Sequence, residues 1–216
     1  MKNLLSLSLI AFAIGCGANA ETINRAIPAP ATDTASPASH EVAVLAGGCF
    51  WGMQGVFEHV KGVTDTVVGY TGGEKKPSGY EEVSTGKTGH AESIKITYDP
   101  SKISYGQLLK IYFAVAHDPT TLNRQHYDVG TQYRSAIFYA NDDQKRIAEE
   151  YIKELDAAHV FKHPIVTQVA PLNGFYKAEG YHQHYLDHNP TQPYIVNMDL
   201  PLIEALKKNF PEFYVR

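Results

Sequence analysis

Two glycines and a cysteine, set between a short apolar run and a helical pattern, constrain this chain more than any other stretch. Residues 42–46 are an apolar run consistent with a buried strand. Gly47 and Gly48 supply a turn, and from Phe50 the apolar spacing becomes helical through Met53, Val56, Phe57 and Val60. A β-branched run at 63–70 follows, closed by Gly72-Gly73. This predicts a strand–helix–strand unit with Cys49 at the helix start. A helix N-terminus stabilises negative charge, so a thiol placed there is expected to ionise more readily than a free one. Most free cysteines are small buried hydrophobes. The glycine turn and the only tryptophan of the chain, Trp51, favour a nucleophile instead.

The rest of the chain alternates in the same way. Residues 74–89 are polar and rich in Gly, Lys and Ser, and predict a surface loop. Residues 92–98 alternate, with Glu92, Ile94, Ile96 and Tyr98 on one face. Ser104 and Gln107 form a capping box before a helix to about residue 116. Residues 117–132 lack period, and about sixteen residues is long for a passive connection. Further strands are expected at 133–140 and 164–172, with helices at 142–159 and 200–210 and a polar, aromatic stretch at 180–193. The fold class predicted is α+β: a mixed β-sheet with packed helices, in two layers with a ferredoxin-like core.

Residues 1–20 read as an export signal. Lys2 opens a short positive region, an apolar run of about a dozen residues is too short to span a membrane comfortably, and Ala18-Asn19-Ala20 supplies a cleavage site. Ala13-Ile14-Gly15-Cys16 offers a second reading, a lipoprotein box that would leave Cys16 as a lipid anchor. Either places the protein outside the cytoplasm, in the periplasm. Residues 21–40, with scattered prolines among Ala, Thr and Ser, predict a disordered linker, and 41–216 the catalytic domain. Cys16 and Cys49 are the two cysteines. Cleavage removes the first and lipidation blocks it, so Cys49 is the sole free thiol in a compartment that favours oxidation. The formal net charge of −4, without a basic block, excludes an obvious nucleic-acid surface.

Several residues can serve the thiol. Phe50 and Trp51 are placed to wall an apolar pocket able to grip a methyl group, or to pack as ordinary core. If Glu92 points inward, desolvation favours its protonated form and makes it a candidate proton donor; a strand-end glutamate bent to water is the alternative. Tyr80, Asp128 and Tyr133 lie on or beside polar loops. His182, His184 and His188 match no strong ligand spacing, and no metal is expected.

At these residues the chain resembles the type A peptide-methionine sulfoxide reductases. Gly48-Cys49-Phe50-Trp51-Gly52 is similar to the active-site signature of that family. Gly89-His90-Ala91-Glu92, the run from Asp128 to Ser135, and Tyr181-His182-Gln183 with Tyr185-Leu186 before Asn189-Pro190 resemble its other motifs. The resemblance implies reduction of the S epimer of methionine sulfoxide, free or in oxidised proteins, and hence repair. It implies that Cys49 attacks the sulfoxide sulfur and becomes a sulfenic acid, and that Glu92 protonates the oxygen with Tyr80 and Tyr133 hydrogen-bonded to it. Phe50 and Trp51 would hold the S-methyl group, and Asp128 would orient the substrate. Many members carry recycling cysteines towards the C-terminus, whereas no cysteine follows Cys49 here. A single-cysteine enzyme is therefore expected, with no bound cofactor. Its reductant would be an external thiol, from a thioredoxin-like or glutaredoxin-like protein or a small molecule, and the chain is expected to be a monomer. A papain-like cysteine hydrolase is the competing reading: His182 lies at a suitable distance downstream, but Trp51 does not directly follow the cysteine and no glutamine precedes it to complete an oxyanion hole. A lipid-anchored binding protein with a structural cysteine is a third.

Overall fold

The structure is a computed structural model and describes residues 27–34, 36–77 and 79–216. The expected export signal and residues 21–26 of the expected linker lie outside the described residues.

A six-stranded sheet runs in the order β7-β6-β1-β3-β2-β8. Its strands are β1 (Glu41–Ala46), β2 (Val63–Thr71), β3 (Ala91–Tyr98), β6 (Ala136–Tyr139), β7 (Gln168–Pro171) and β8 (Tyr176–Lys177); β4 (Arg124–Gln125) and β5 (Asp128–Val129) form a separate pair. All neighbours are antiparallel except β6 and β7, so the sheet is mixed. The helices are α1 (Phe50–Glu58), α2 (Tyr80–Ser84), α3 (Tyr105–Ile111), α4 (Asp142–Ala157), α5 (Tyr185–His188) and α6 (Leu200–Asn209). The fold is α+β, a mixed sheet with packed helices.

Strand alternation sets the layers. Ala43 and Leu45 of β1, paired with Ile96 and Ile94 of β3, face a core shared with Met53, Val56 and Phe57 of α1, Leu108 and Leu109 of α3, Ile147 and Tyr151 of α4 and Leu206 of α6. Burying each large side chain of this kind stabilises the fold by roughly 1.5–3 kcal/mol. The alternate residues Val44 and Ala46 face the other way, onto Phe138, Ala170 and Phe175. Helix α3 begins at the expected capping box and α4 at Asn141, whose side chain accepts from Gln144 N–H at 2.9 Å.

Four local differences from the sequence reading have physical causes. Residues 27–34, expected within a disordered linker, are laid on the domain. Ile27 is buried in the main core, Tyr151 hydroxyl donates to the Pro28 carbonyl, and Asp33 accepts from Ser104 and from Gly106 N–H. The helix after the capping box becomes π-helical over Tyr112–Ala116, where Tyr112 hydroxyl donates to the Ala46 carbonyl at 2.8 Å. The strand expected from residue 133 begins only at Ala136, because a 3₁₀ turn holds Thr131–Tyr133 and Arg134 donates back to the Thr131 carbonyl. The loops at 74–89 and 180–193 contain the short helices α2 and α5.

Candidate active site

Cys49 is the N-cap of α1, at the crossing from the central strand to a helix that is buried along most of its length. The preceding turn admits only glycine. Gly48 has φ +98°, and a Cβ there would fall 2.6 Å from Gln125; one on Gly47 would fall 2.8 Å from the His117 ring. The side chain of Cys49 makes no capping hydrogen bond to α1 that meets ordinary cap geometry, and the Trp51 backbone N–H is the one donor that acts on Sγ.

The structure brings the sequence-predicted residues together around it. Glu92 is 3% exposed, and its Oε2 accepts the Phe50 N–H at 3.1 Å, so the carboxyl meets the first turn of the helix that carries the thiol. Burial raises its pKa to about 8, with Asp128 adding to the rise and the Phe50 N–H opposing it; the group is a neutral acid at pH 7. Tyr80 and Tyr133 lie close enough to interact with each other, and Glu92 and Cys49 each act on both hydroxyls, whose pKa values burial raises. Two staples hold these loops. Arg134 donates to the carbonyls of Thr131 and Gly89 at 2.8 and 2.9 Å, and the Tyr80 N–H donates to Glu179 at 2.8 Å. Asp128 is on β5, where it accepts the Tyr194 hydroxyl at 2.5 Å.

Phe50 is fully buried and packs beside Tyr70 and His182. Trp51 stacks on Tyr185 with ring centroids 3.8 Å apart and meets Tyr194 edge-on. Its indole N–H donates to His182 Nδ1 at 3.2 Å. That bond fixes His182 as the Nε2–H tautomer, and burial lowers its pKa, so the ring is a neutral prop for the tryptophan. A hydrolase would need this imidazole on the thiol instead. No group of three potential metal-ligating side chains occurs among the described residues.

The thiol itself corrects the expectation drawn from its position. Burial drives the Cys49 pKa well above the usual thiol range, and Glu92, Asp199 and Asp128 push it further; only the Trp51 backbone N–H acts in the opposite sense. The resting group is a thiol. Desolvation outweighs the helix terminus because the sulfur sits among carboxyls rather than cations. Three further residues of the site carry no signal in the sequence reading: Tyr194, His182 as the partner of Trp51, and Asp199. Asp199 is 3% exposed with a pKa raised to about 8 by burial and by Asp128. A larger cavity, about 730 Å³, opens between residues 72–77 and 82–89 and includes none of these groups.

A lone thiol at a strand-to-helix turn, facing a buried neutral carboxyl and two tyrosine hydroxyls, defines a thiol-dependent enzyme built to attack a centre whose oxygen it can protonate. The family model of peptide methionine sulfoxide reductase matches residues 41–213. The chain is 59% identical over 182 residues to peptide methionine sulfoxide reductase MsrA 2 of Mesorhizobium japonicum, covering 84% of this chain and 93% of that one. It is 45% identical to the MsrA 2 of Synechocystis over 88% of this chain and 90% of that one. Among solved structures, reduced Mxr1 of Saccharomyces cerevisiae aligns with a TM-score of 0.66 at 35% identity, covering 75% of this chain and 92% of that one. Methionine sulfoxide reductase A of Corynebacterium diphtheriae aligns at 0.62 and 33% identity, over 79% and 88%. The chain belongs to the peptide methionine sulfoxide reductase family; it reduces methionine sulfoxide and thereby repairs oxidised methionine.

Proposed function

We propose that the chain is a single-cysteine peptide-methionine (S)-S-oxide reductase in which Cys49 is the nucleophile and Glu92 the acid. The observation that carries this is the neutral Glu92 carboxyl, fixed by the Phe50 N–H at the helix terminus that bears the thiol. Glu92, with the Tyr80 and Tyr133 hydroxyls, hydrogen-bonds the sulfoxide oxygen and protonates it, which makes the sulfur electrophilic. Sγ attacks that sulfur as its own proton leaves. An S–S bond forms as the S–O bond breaks, and the oxygen leaves as water with the protons of Glu92 and Sγ. A water then attacks Sγ and returns a proton to Glu92, methionine departs, and Cys49 is left as a sulfenic acid: sulfur in the substrate is reduced by two electrons and Sγ oxidised by two. Trp51, braced by Tyr185 and His182, walls the S-methyl group together with Phe50, and Asp128 with Tyr194 orients the substrate backbone.

No cysteine follows Cys49 in the sequence, which supports recycling by an external thiol, from a thioredoxin-like or glutaredoxin-like protein or a small molecule. Export to the periplasm, with lipidation of Cys16 as the alternative to simple cleavage, rests on the first twenty residues. A monomer is the working assignment. The neighbour order β6-β1-β3-β2, threaded as β1-α1-β2-β3-α3-β6, supports a ferredoxin-like core.

The test supplies an S-sulfoxide peptide and dithiothreitol to wild type and to Cys49→Ser. Wild type is expected to release methionine-containing product and the variant none; absence of product with wild type would refute the reading. The mass of the mature protein after one turnover without thiol is expected to rise by one oxygen. A loss of two hydrogens, the mark of an internal disulfide, would rule out the single-cysteine cycle.

A further inference from the structure

Asp199 sits inside a continuous helical run, where the π-helical segment Ile195–Asp199 passes into α6 with helical backbone on both sides, and its side chain makes no capping hydrogen bond. The side chain turns to the first turn of α1. The approach is so close that a Cβ on Gly52 would lie 2.5 Å from Asp199 Oδ1. Oδ2 is buried and has no hydrogen-bond partner among the described residues, a costly state for a carboxyl that served only packing.

What lies beside Asp199 is a small cavity on the second flank of the thiol. Its volume is about 20 Å³, and Cys49, Gly52, Gln125, His126, Tyr194 and Asp199 are among the residues that line it. Roughly 10–15 Å³ suffices for one water-sized group. Glu92, Phe50, Trp51, Tyr80 and Tyr133 are absent from its wall, so Cys49 stands between the sulfoxide face and an acid-lined recess, with Tyr194 bordering both. That arrangement matters once methionine has left. An external thiolate enters through the vacated sulfoxide face, and displacement at sulfur requires the incoming sulfur, Sγ and the departing oxygen to lie in line. The sulfenic hydroxyl must then point away from the entrance, into the recess.

We propose that Asp199 is the acid of the recycling half-reaction: it protonates the sulfenic hydroxyl of Cys49 as an external thiol attacks Sγ, and the oxygen leaves as water in the recess. In this step the S–S bond to the incoming thiol forms and the S–O bond breaks. The incoming sulfur is oxidised and Sγ reduced. The external thiol attacks as its thiolate, having given its proton to solvent, and Asp199 regains its own from solvent. A second thiol then attacks the mixed disulfide and frees Cys49. The inference rests on the sulfenic-acid cycle proposed above. The groups that act on Asp199 or line its recess are Cys49 on the turn before α1, Asp128 on β5, His126 between β4 and β5, and Tyr194 before the π-helical segment. No cation is among the groups that shift it, in keeping with a carboxyl that keeps its proton near neutrality.

The experiment makes the sulfenic acid without any sulfoxide, by treating the whole enzyme with one equivalent of hydrogen peroxide. Its reduction by excess dithiothreitol is followed as loss of dimedone-reactive Cys49 by mass. Asp199→Asn is expected to slow this reduction roughly 100-fold, the scale of a lost acid catalyst. The slowing of this reduction is expected to exceed any slowing of single-turnover methionine release by at least about tenfold. In wild type, the reduction rate corrected for thiolate fraction is expected to fall as pH rises through about 8, where Asp199 ionises. An Asp199→Asn enzyme that reduces its sulfenic acid at the wild-type rate overturns the proposal. So does one that loses methionine release and recycling in equal measure, since that is local damage. If the variant does not fold, the wild-type profile decides, and a flat corrected rate overturns the assignment. Failure of the reductase reading itself would appear separately, as no methionine release by wild type.

Discussion

Glu92 belongs to a strand by its backbone and to a helix terminus by its side chain, and that double membership makes it an acid. Its alternation with Ile94 and Ile96 turns it inward, burial keeps it protonated, and the Phe50 N–H aims it. Glu92→Gln preserves the shape and the acceptor oxygen but cannot donate a dissociable proton. Single-turnover methionine release should fall by roughly 100-fold or more, measured by rapid quench. In wild type the rate should decline as pH rises through about 8, as the acid ionises, and this limb should vanish in the variant; an unchanged profile would remove Glu92 from the chemistry. Trp51 poses a different question, because its pocket role depends on a partner. His182→Phe keeps the ring contact and removes the acceptor of the indole N–H, leaving a partly buried donor unpaired at a cost of roughly 1–3 kcal/mol. Loosening of Trp51 is expected to raise KM several-fold with a smaller change in kcat, and steady-state kinetics with a sulfoxide peptide would show it.

Helix α1 converts the sheet's central strand into the reactive turn, and its neighbours come so close that glycine is obligatory at its approach. Gly48→Ala would impose φ +98° on a residue with a side chain and drive Cβ into Gln125. The fold should lose roughly 1–3 kcal/mol, read as a lower denaturant midpoint, and activity should fall with it as the turn shifts Sγ. The elements visible in the sequence are those whose pattern is local: the apolar run of β1, the β-branched run of β2, the alternation of β3 that also put Glu92 in phase, and the capping box of α3. The helices α2 and α5 escaped notice because they are single turns held by distant partners; α2 is fixed by Glu179 and Gln132, and α5 follows a left-handed His184 whose N–H is held by Gln54. Residues 27–34 were composed like a linker, and their ordering depends on Tyr151 and Ser104, more than seventy residues away. Asp199 was hidden in the same way. A lone aspartate before Leu200-Pro201 has the look of an ordinary cap, and only the packing of the C-terminal segment on α1 gives it another use. The position of Cys49 was legible, whereas the sign of its pKa shift was not, since desolvation by later segments opposes the helix terminus.

Taken as a whole, the molecule holds two neutral carboxyls next to its nucleophile, and this should be visible in its stability. Glu92 and Asp199 each have a folded pKa raised to about 8, against ordinary values of 4.5 and 3.8. Below about pH 4 both are protonated in the folded and unfolded chains, and neither biases folding. Between about 4 and 8 the unfolded chain releases these protons while the folded chain keeps them. The folded state then binds more protons, so stability must fall as pH rises, with the loss complete above about 8. The penalty per group is of the order of a few kcal/mol, enough to register against the marginal stability of a domain this size. Asp99, held at about 2 by Lys102 and Ser101, acts in the opposite sense but only as pH falls below about 4, outside this window. The thermal midpoint of wild type is therefore expected to decline between pH 5 and 8.5. Glu92→Gln and Asp199→Asn should each flatten that slope and raise the midpoint at pH 8 more than at pH 5. Neither carboxyl is among the groups that shift the other, so the gains of the two variants should add in the double variant. A double variant whose midpoint still tracked the wild-type pH slope would show that these carboxyls are not held neutral by the fold, and the acid roles of both would fall with that result.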